Sequence, residues 1–215
     1  MTRLPAAQRR EQLLDTAVTL FAERGFGGAT TSELARAAGV TEPIIYRHFK
    51  SKKKLFVAVI DRTSELTIER WDRQLSSAKD AAQRLRRLIG TNPMSSDRGR
   101  GIYRVILQAM MEIEDPEILE AIQRHVTALH QFVTDGVRRA QDEGWVSRAF
   151  SPEVTAWTLL HLGLGYGVLS PLGIDGHAMD DKGVRVRDLI EQMMLGEKAR
   201  KRQDDMLEHR ETDPG

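Results

Sequence analysis

The sequence predicts an all-α protein: a three-helix head followed by a larger helical body. Three observations carry this. Apolar residues recur at helical spacing almost throughout the 215 residues. Strand-length runs of alternating apolar and polar residues are scarce. Capping residues and glycines cut the first fifty positions into short helical segments.

In the first helix Leu13, Leu14, Ala17, Leu20 and Phe21 fall at i, i+1, i+4, i+7 and i+8, with Gln12, Asp15, Thr16, Thr19 and Glu23 opposite. That division lays one face on a core. Gly25 is expected to end it, as a residue tolerant of left-handed backbone. Thr30 and Glu33 have capping-box spacing for a second helix, whose stop is Gly39. Thr41 is placed to cap a third. Pro43 is acceptable there, because a first-turn N–H has no helical partner. Ser51 is placed to cap a fourth helix, which runs from Lys52 to about Leu75.

The body continues with a helix over roughly 81–89. A loop dense in turn formers follows at 90–99, then a helix over 102–114. Asp115-Pro116 marks a break and restart. A long helix then runs to about Glu143, where Gly144 closes it. Ser151-Pro152 opens another, residues 173–176 form a loop, and 184–195 form the last apolar-patterned helix. The expected domains are therefore residues 1–52, residues 53–196, and a charged, disordered tail at 197–215.

Composition narrows the function. Net charge is +1, yet residues 1–60 hold ten Lys and Arg against five Asp and Glu, while the remainder holds 22 against 26. A basic head on an acidic body is suited to a polyanion. Near-zero net charge argues against general DNA packaging. There is no cysteine, which excludes disulfides and thiolate metal sites. No apolar run reaches the roughly 18 residues of a membrane span, and the N-terminus lacks a secretory leader, so a cytoplasmic location is expected. His125 and His130, five apart, do not share a helix face, and neither metal nor cofactor is expected. With no phosphate loop and no paired nucleophile and base, an enzyme is not expected either.

The informative stretch is Thr30 to Lys54. Two short helices are joined by Gly39-Val40-Thr41. Leu34, Ala35 and Ala38 on the first face Ile45 and Phe49, at i and i+4, on the second. This is a helix-turn-helix layout. Its second helix is positioned to enter a major groove. The helix exposes Thr41, Glu42, Pro43, Ile44, Arg47 and His48, of which Thr41, Glu42, Pro43 and Ile44 are the candidates for base edges, Glu42 as acceptor for a cytosine amino group. Tyr46, His48 and Lys52 are the candidates for phosphates, and Thr41 could serve phosphate or base. Singly, each has an ordinary structural role as well: Thr41 as cap, Glu42 as complement to the helix dipole, Tyr46 as core with a wet hydroxyl.

The run Phe26-Gly27-Gly28-Ala29-Thr30-Thr31-Ser32-Glu33-Leu34-Ala35-Arg36-Ala37-Ala38-Gly39-Val40-Thr41-Glu42-Pro43-Ile44-Ile45-Tyr46-Arg47-His48-Phe49-Lys50-Ser51-Lys52 resembles the DNA-binding head of the tetracycline-repressor (TetR) family. With the first helix, the resemblance spans about residues 8–60. The family pattern carries to Thr31, Gly39, Thr41, Tyr46, Phe49 and Lys52. It departs at Pro43, where glycine is common. Proline stiffens that turn and removes a main-chain donor.

The resemblance implies a helical C-terminal domain that dimerises and holds an effector. The residues support part of this. From Val154 to Leu169 the sequence is apolar most of the way round, so this helix must be covered on several sides. Together with Val184, Val186, Leu189, Ile190, Met193 and Met194 it would form an intersubunit interface. Trp71, Tyr103, Leu107, Met110, Met111, Phe132 and Trp157 are the candidates for an apolar effector cavity, with Gln108, His125 and His161 as polar partners. The expected function is a homodimeric repressor on a pseudo-palindromic duplex, released by a small apolar or aromatic molecule. The alternatives are a DNA-binding regulator without a ligand, or a protein-interaction module derived from one.

Overall fold

A computed structural model describes residues 4–90, 97–177, 179–194 and 196. Among the described residues the elements are α1 (Ala6–Gly28), α2 (Thr31–Ala37), α3 (Glu42–His48), α4 (Lys52–Leu75), α5 (Ala81–Gly90), α6 (Asp97–Ala109), α7 (Pro116–Asp142), α8 (Pro152–Leu169) and α9 (Val186–Met194). Short 3-10 turns, Met110–Glu112 and Ser170–Leu172, follow α6 and α8. No strand occurs among the described residues, only an isolated bridge between Met179 and Arg185. The chain is all-α, as the periodicity predicts.

The local signals act where they were expected, with two exceptions. Thr30 and Glu33 form the capping box: the Glu33 N–H donates to Thr30 Oγ1 at 3.2 Å, and the Thr30 N–H to Glu33 Oε2 at 3.1 Å. Those bonds hold the Glu33 carboxyl below its usual range. Ser51 caps α4 through the Lys54 N–H (3.1 Å), Asp115 caps α7 through the Glu117 N–H (3.0 Å), and Ser151 caps α8 through the Val154 N–H (3.3 Å). The first exception is Gly25. It turns left-handed (φ 73°), yet the helix resumes for one turn to Gly28. That extra turn sets Phe26 flat against Phe56, ring centroids 4.6 Å apart. The second is Thr41. It occupies the N-cap of α3, but its side chain makes no capping bond.

Two boundaries in the body shift. The expected helix over 102–114 starts earlier, at Asp97, and gives way to a 3-10 turn at Met110. The last helix covers 186–194 rather than 184–195. Residues 91–96 of the expected 90–99 loop, and the tail at 197–215, lie outside the described residues.

Contacts group the described residues into two compact units, those within 1–69 and 93–128, and those within 70–92 and 129–215. This division differs from a break at 52/53. The reason is that α4 is one unbroken helix whose Leu55, Phe56, Val59 and Ile60 complete the core begun by Leu13, Leu14, Phe21, Leu34 and Ile45. Val105, Ile106, Ala109, Ile118, Ala121 and Ile122 of α6 and α7 close the same core. Ion pairs reinforce it at the rim: Lys53 Nζ lies 3.0 Å from Asp115 and 3.2 Å from Glu117, and Arg124 pairs with Asp61 at 3.0 Å. Half-exposed pairs of this kind add little stability.

Candidate nucleic-acid interface

The turn between α2 and α3 is made by Gly39 at φ 65°, a backbone conformation that L side chains rarely adopt. Val40 N–H donates back to the Ala35 carbonyl at 2.9 Å, closing the end of α2. Leu34 and Ala35 then receive Ile45, 1% exposed, and Phe49 is buried beside them. With Ile45 and Phe49 turned inward, helical geometry turns Thr41, Pro43, Tyr46 and Arg47 outward, and all four are exposed. Glu42, Ile44, His48, Thr31 and Lys52 are half-buried around them. The nine residues expected to meet DNA are therefore brought to the open side of one helix pair and the start of α4. This is the disposition in which a short helix can enter a groove.

Three of them are bonded to one another. Thr31 Oγ1 donates to Glu42 Oε2 at 3.0 Å and lies 3.2 Å from the Tyr46 hydroxyl. Lys52 is held against α1. Its ammonium stands 4.8 Å above the Phe26 ring and donates to the Gly27 carbonyl at 3.4 Å. The resumed turn of α1 supplies both partners. Arg10 was outside the expected set, yet its guanidinium lies 5.2 Å from the Phe49 ring at the end of α3. Nothing in the local pattern of α1 marks it, because the contact joins segments about forty residues apart.

The residues expected at an effector cavity divide into groups. Tyr103, Leu107 and Met110 belong to the first unit. There the Tyr103 ring stands edge-on to His125, centroids 6.5 Å apart. Burial pushes the Tyr103 phenol up. His125 is 1% exposed and neither ring nitrogen has a hydrogen-bond partner among the described residues. Burial depresses its pKa to about 4, so the ring is neutral at physiological pH. Gln108 Oε1 is likewise buried and unpartnered. Trp71 and Phe132 belong to the second unit, rings 5.7 Å apart, with the Trp71 indole N–H unpartnered.

Three of the expected residues are exposed. Met111 is 82% exposed, because α6 ends in a 3-10 turn that rotates it outward. Trp157 and His161 lie on the exposed face of α8, stacked with His130 (Trp157 to His130 4.3 Å, to His161 5.8 Å). His161 was also paired in expectation with Gln108 and His125, yet only those two are buried polar groups.

Residues 13–59 match the family model of bacterial regulatory proteins, tetR family. The chain is 30% identical over 148 residues, 69% of its length, to the nucleoid occlusion factor SlmA of Marinobacter nauticus, and covers 74% of that protein. It is 39% identical over 87 residues, 40% of each chain, to the transcriptional activator FasR of Mycolicibacterium smegmatis. A transcriptional regulator from Saccharomonospora viridis, solved in complex with choline, superposes with a TM-score of 0.71 at 25% identity, covering 86% of this chain and 93% of that one. Helix-turn-helix geometry, family model and relatives agree: the chain belongs to the TetR family of DNA-binding transcriptional regulators.

Proposed function

We propose that the chain is a cytoplasmic homodimeric repressor, released from a pseudo-palindromic operator by a small molecule. The observation that carries the DNA half is the α3 surface, where Thr41, Pro43, Tyr46 and Arg47 are exposed above a buried Ile45. Thr41, Glu42, Pro43, Ile44 and Arg47 read base edges. Thr31, Tyr46, His48 and Lys52 hold phosphates. A single head reads one half-site; two heads about 34–36 Å apart read both.

Dimerisation is supported by α8 and α9. Val154, Leu162, Val168, Leu169, Leu189 and Met193 are exposed on consecutive helices, a pattern that marks an interaction surface. The effector half is supported by His125 and Gln108. Leaving a buried polar group unpaired costs about 1–3 kcal/mol, and a ligand with a hydrogen-bonding head and an apolar body removes that cost. No helix of the described residues is long and apolar enough to cross a membrane. The working domains remain a DNA-binding head, a body for effector and partner, and a tail.

Selecting random duplexes on the purified protein tests the first half, and releasing the winner with a metabolite panel tests the second. A two-fold symmetric winner freed by one metabolite class is the expected result; an asymmetric winner contradicts the dimer. The match to a nucleoid occlusion factor favours a second reading, a nucleoid-occlusion role without an effector. Genome-wide footprinting separates the two: sites confined to promoters support the repressor, and sites scattered away from promoters support nucleoid occlusion.

A further inference from the structure

The three-residue network at the start of α2 fixes the direction of its protons. Glu42 accepts through an oxygen, and an ionised carboxylate has no proton to give. The 3.0 Å bond from Thr31 Oγ1 to Glu42 Oε2 therefore uses the one proton of the threonine hydroxyl. The 3.2 Å contact between Thr31 and Tyr46 must then run the other way, with the Tyr46 hydroxyl donating to Thr31. The Thr31 proton points at Glu42 and the Tyr46 proton at Thr31. The outward side of the tyrosine hydroxyl, on a side chain 48% exposed, presents lone pairs. A phosphate oxygen is also an acceptor, so this arrangement offers it nothing, and the Glu42 charge repels it.

We infer that Glu42 is a specificity filter that withholds the Thr31 and Tyr46 donors from phosphate until a base releases them. The inference rests on α3 entering the major groove. There, an amino group on a base edge, cytosine N4 or adenine N6, offers Glu42 a donor in place of Thr31. Once Glu42 turns to that base, the Thr31 proton is released, and with it the Tyr46 proton. Both can then be donated to the backbone. Reading the base and gripping the phosphate become one linked event. On a duplex without an amino group at that position the hydroxyls stay committed and the carboxylate opposes binding. Discrimination thus comes from a penalty on wrong sequences as well as a reward for the right one.

A double-mutant cycle on the full-length protein, Glu42→Ala with Tyr46→Phe, tests this against two duplexes: one selected from random sequence by the wild type, and one random. Thermal melting of each variant checks that the head stays folded. Wild type is expected to prefer the selected duplex. While Glu42 is present, Tyr46→Phe should lower selected-duplex affinity about tenfold and random-duplex affinity by less. Glu42→Ala should raise random-duplex affinity about tenfold. In that background Tyr46→Phe should now cost about fivefold on random DNA. If Tyr46→Phe costs the same on random DNA with and without Glu42, the filter is overturned, while groove reading by α3 stands. If wild type does not prefer the selected duplex at all, both are overturned.

Discussion

In α1–α3 the large apolar side chains turn inward: Leu13, Leu14, Phe21, Leu34, Ile45 and Phe49 are all buried. In α8 and α9 they do not: Val154, Leu162, Val168, Leu189 and Met193 stand on the surface, Leu189 at 60% and Met193 at 74% exposure. Both regions are apolar in sequence. The head completes its core with α4, α6 and α7 of the same chain, so its outward face is left for polar recognition. Among the described residues of α8, only Ala156 and Gly167 are buried. The comparison separates residues that hold the fold from residues that the proposed dimer would cover, and mutation should tell them apart by which quantity changes.

The largest effect belongs to the core. Phe56 is fully buried against Phe21 (5.0 Å) and Phe26 (4.6 Å). Phe56→Ala should cost about 3–5 kcal/mol, seen as a fall in the urea midpoint and loss of DNA binding together. Leu189→Glu should behave oppositely. It should weaken self-association at least about tenfold in sedimentation, while changing the stability of the isolated subunit by less than about 0.5 kcal/mol. A large loss of subunit stability would mean that α9 is core after all.

The buried His125 gives an acid signature of intermediate size. Its pKa is near 4 in the folded protein against an ordinary value of 6.5. Between those values the unfolded chain binds the extra proton, so stability is full above pH 6.5 and falls as pH drops toward 4. The loss amounts to about 3 kcal/mol. His125→Leu should flatten that slope in melts from pH 7 to pH 4. It should also abolish release by any effector that anchors on the ring.

The smallest effects compare two threonines. Thr30→Ala removes the capping bond of α2 and should cost about 1 kcal/mol. Thr41 occupies the same position on α3 without a capping bond. Thr41→Ala should leave the melting temperature unchanged and lower operator affinity alone.

What could be read from sequence follows the range of each interaction. The capping box at Thr30 and Glu33, the turn at Gly39, and the caps Ser51 and Ser151 act within four residues, so spacing displays them. The inward set of the head was legible for the same reason, since Ile45 and Phe49 share a face by helical geometry. The resumed turn after Gly25 was not, because it depends on Phe26 reaching Phe56 thirty residues on. The outward rotation of Met111 depends on where α6 ends, which no local signal marks. Periodicity likewise shows that α8 is apolar all round, but not that Val154, Leu162 and Val168 stand exposed among the described residues.

The central claim is that α3 is delivered to DNA in pairs, and hydroxyl-radical footprinting of the selected duplex tests it most directly. The account predicts two equivalent protected stretches about 34–36 Å apart, one helical turn, both lost in Arg47→Ala. One protected stretch, or two of unequal pattern that survive Arg47→Ala, would contradict it.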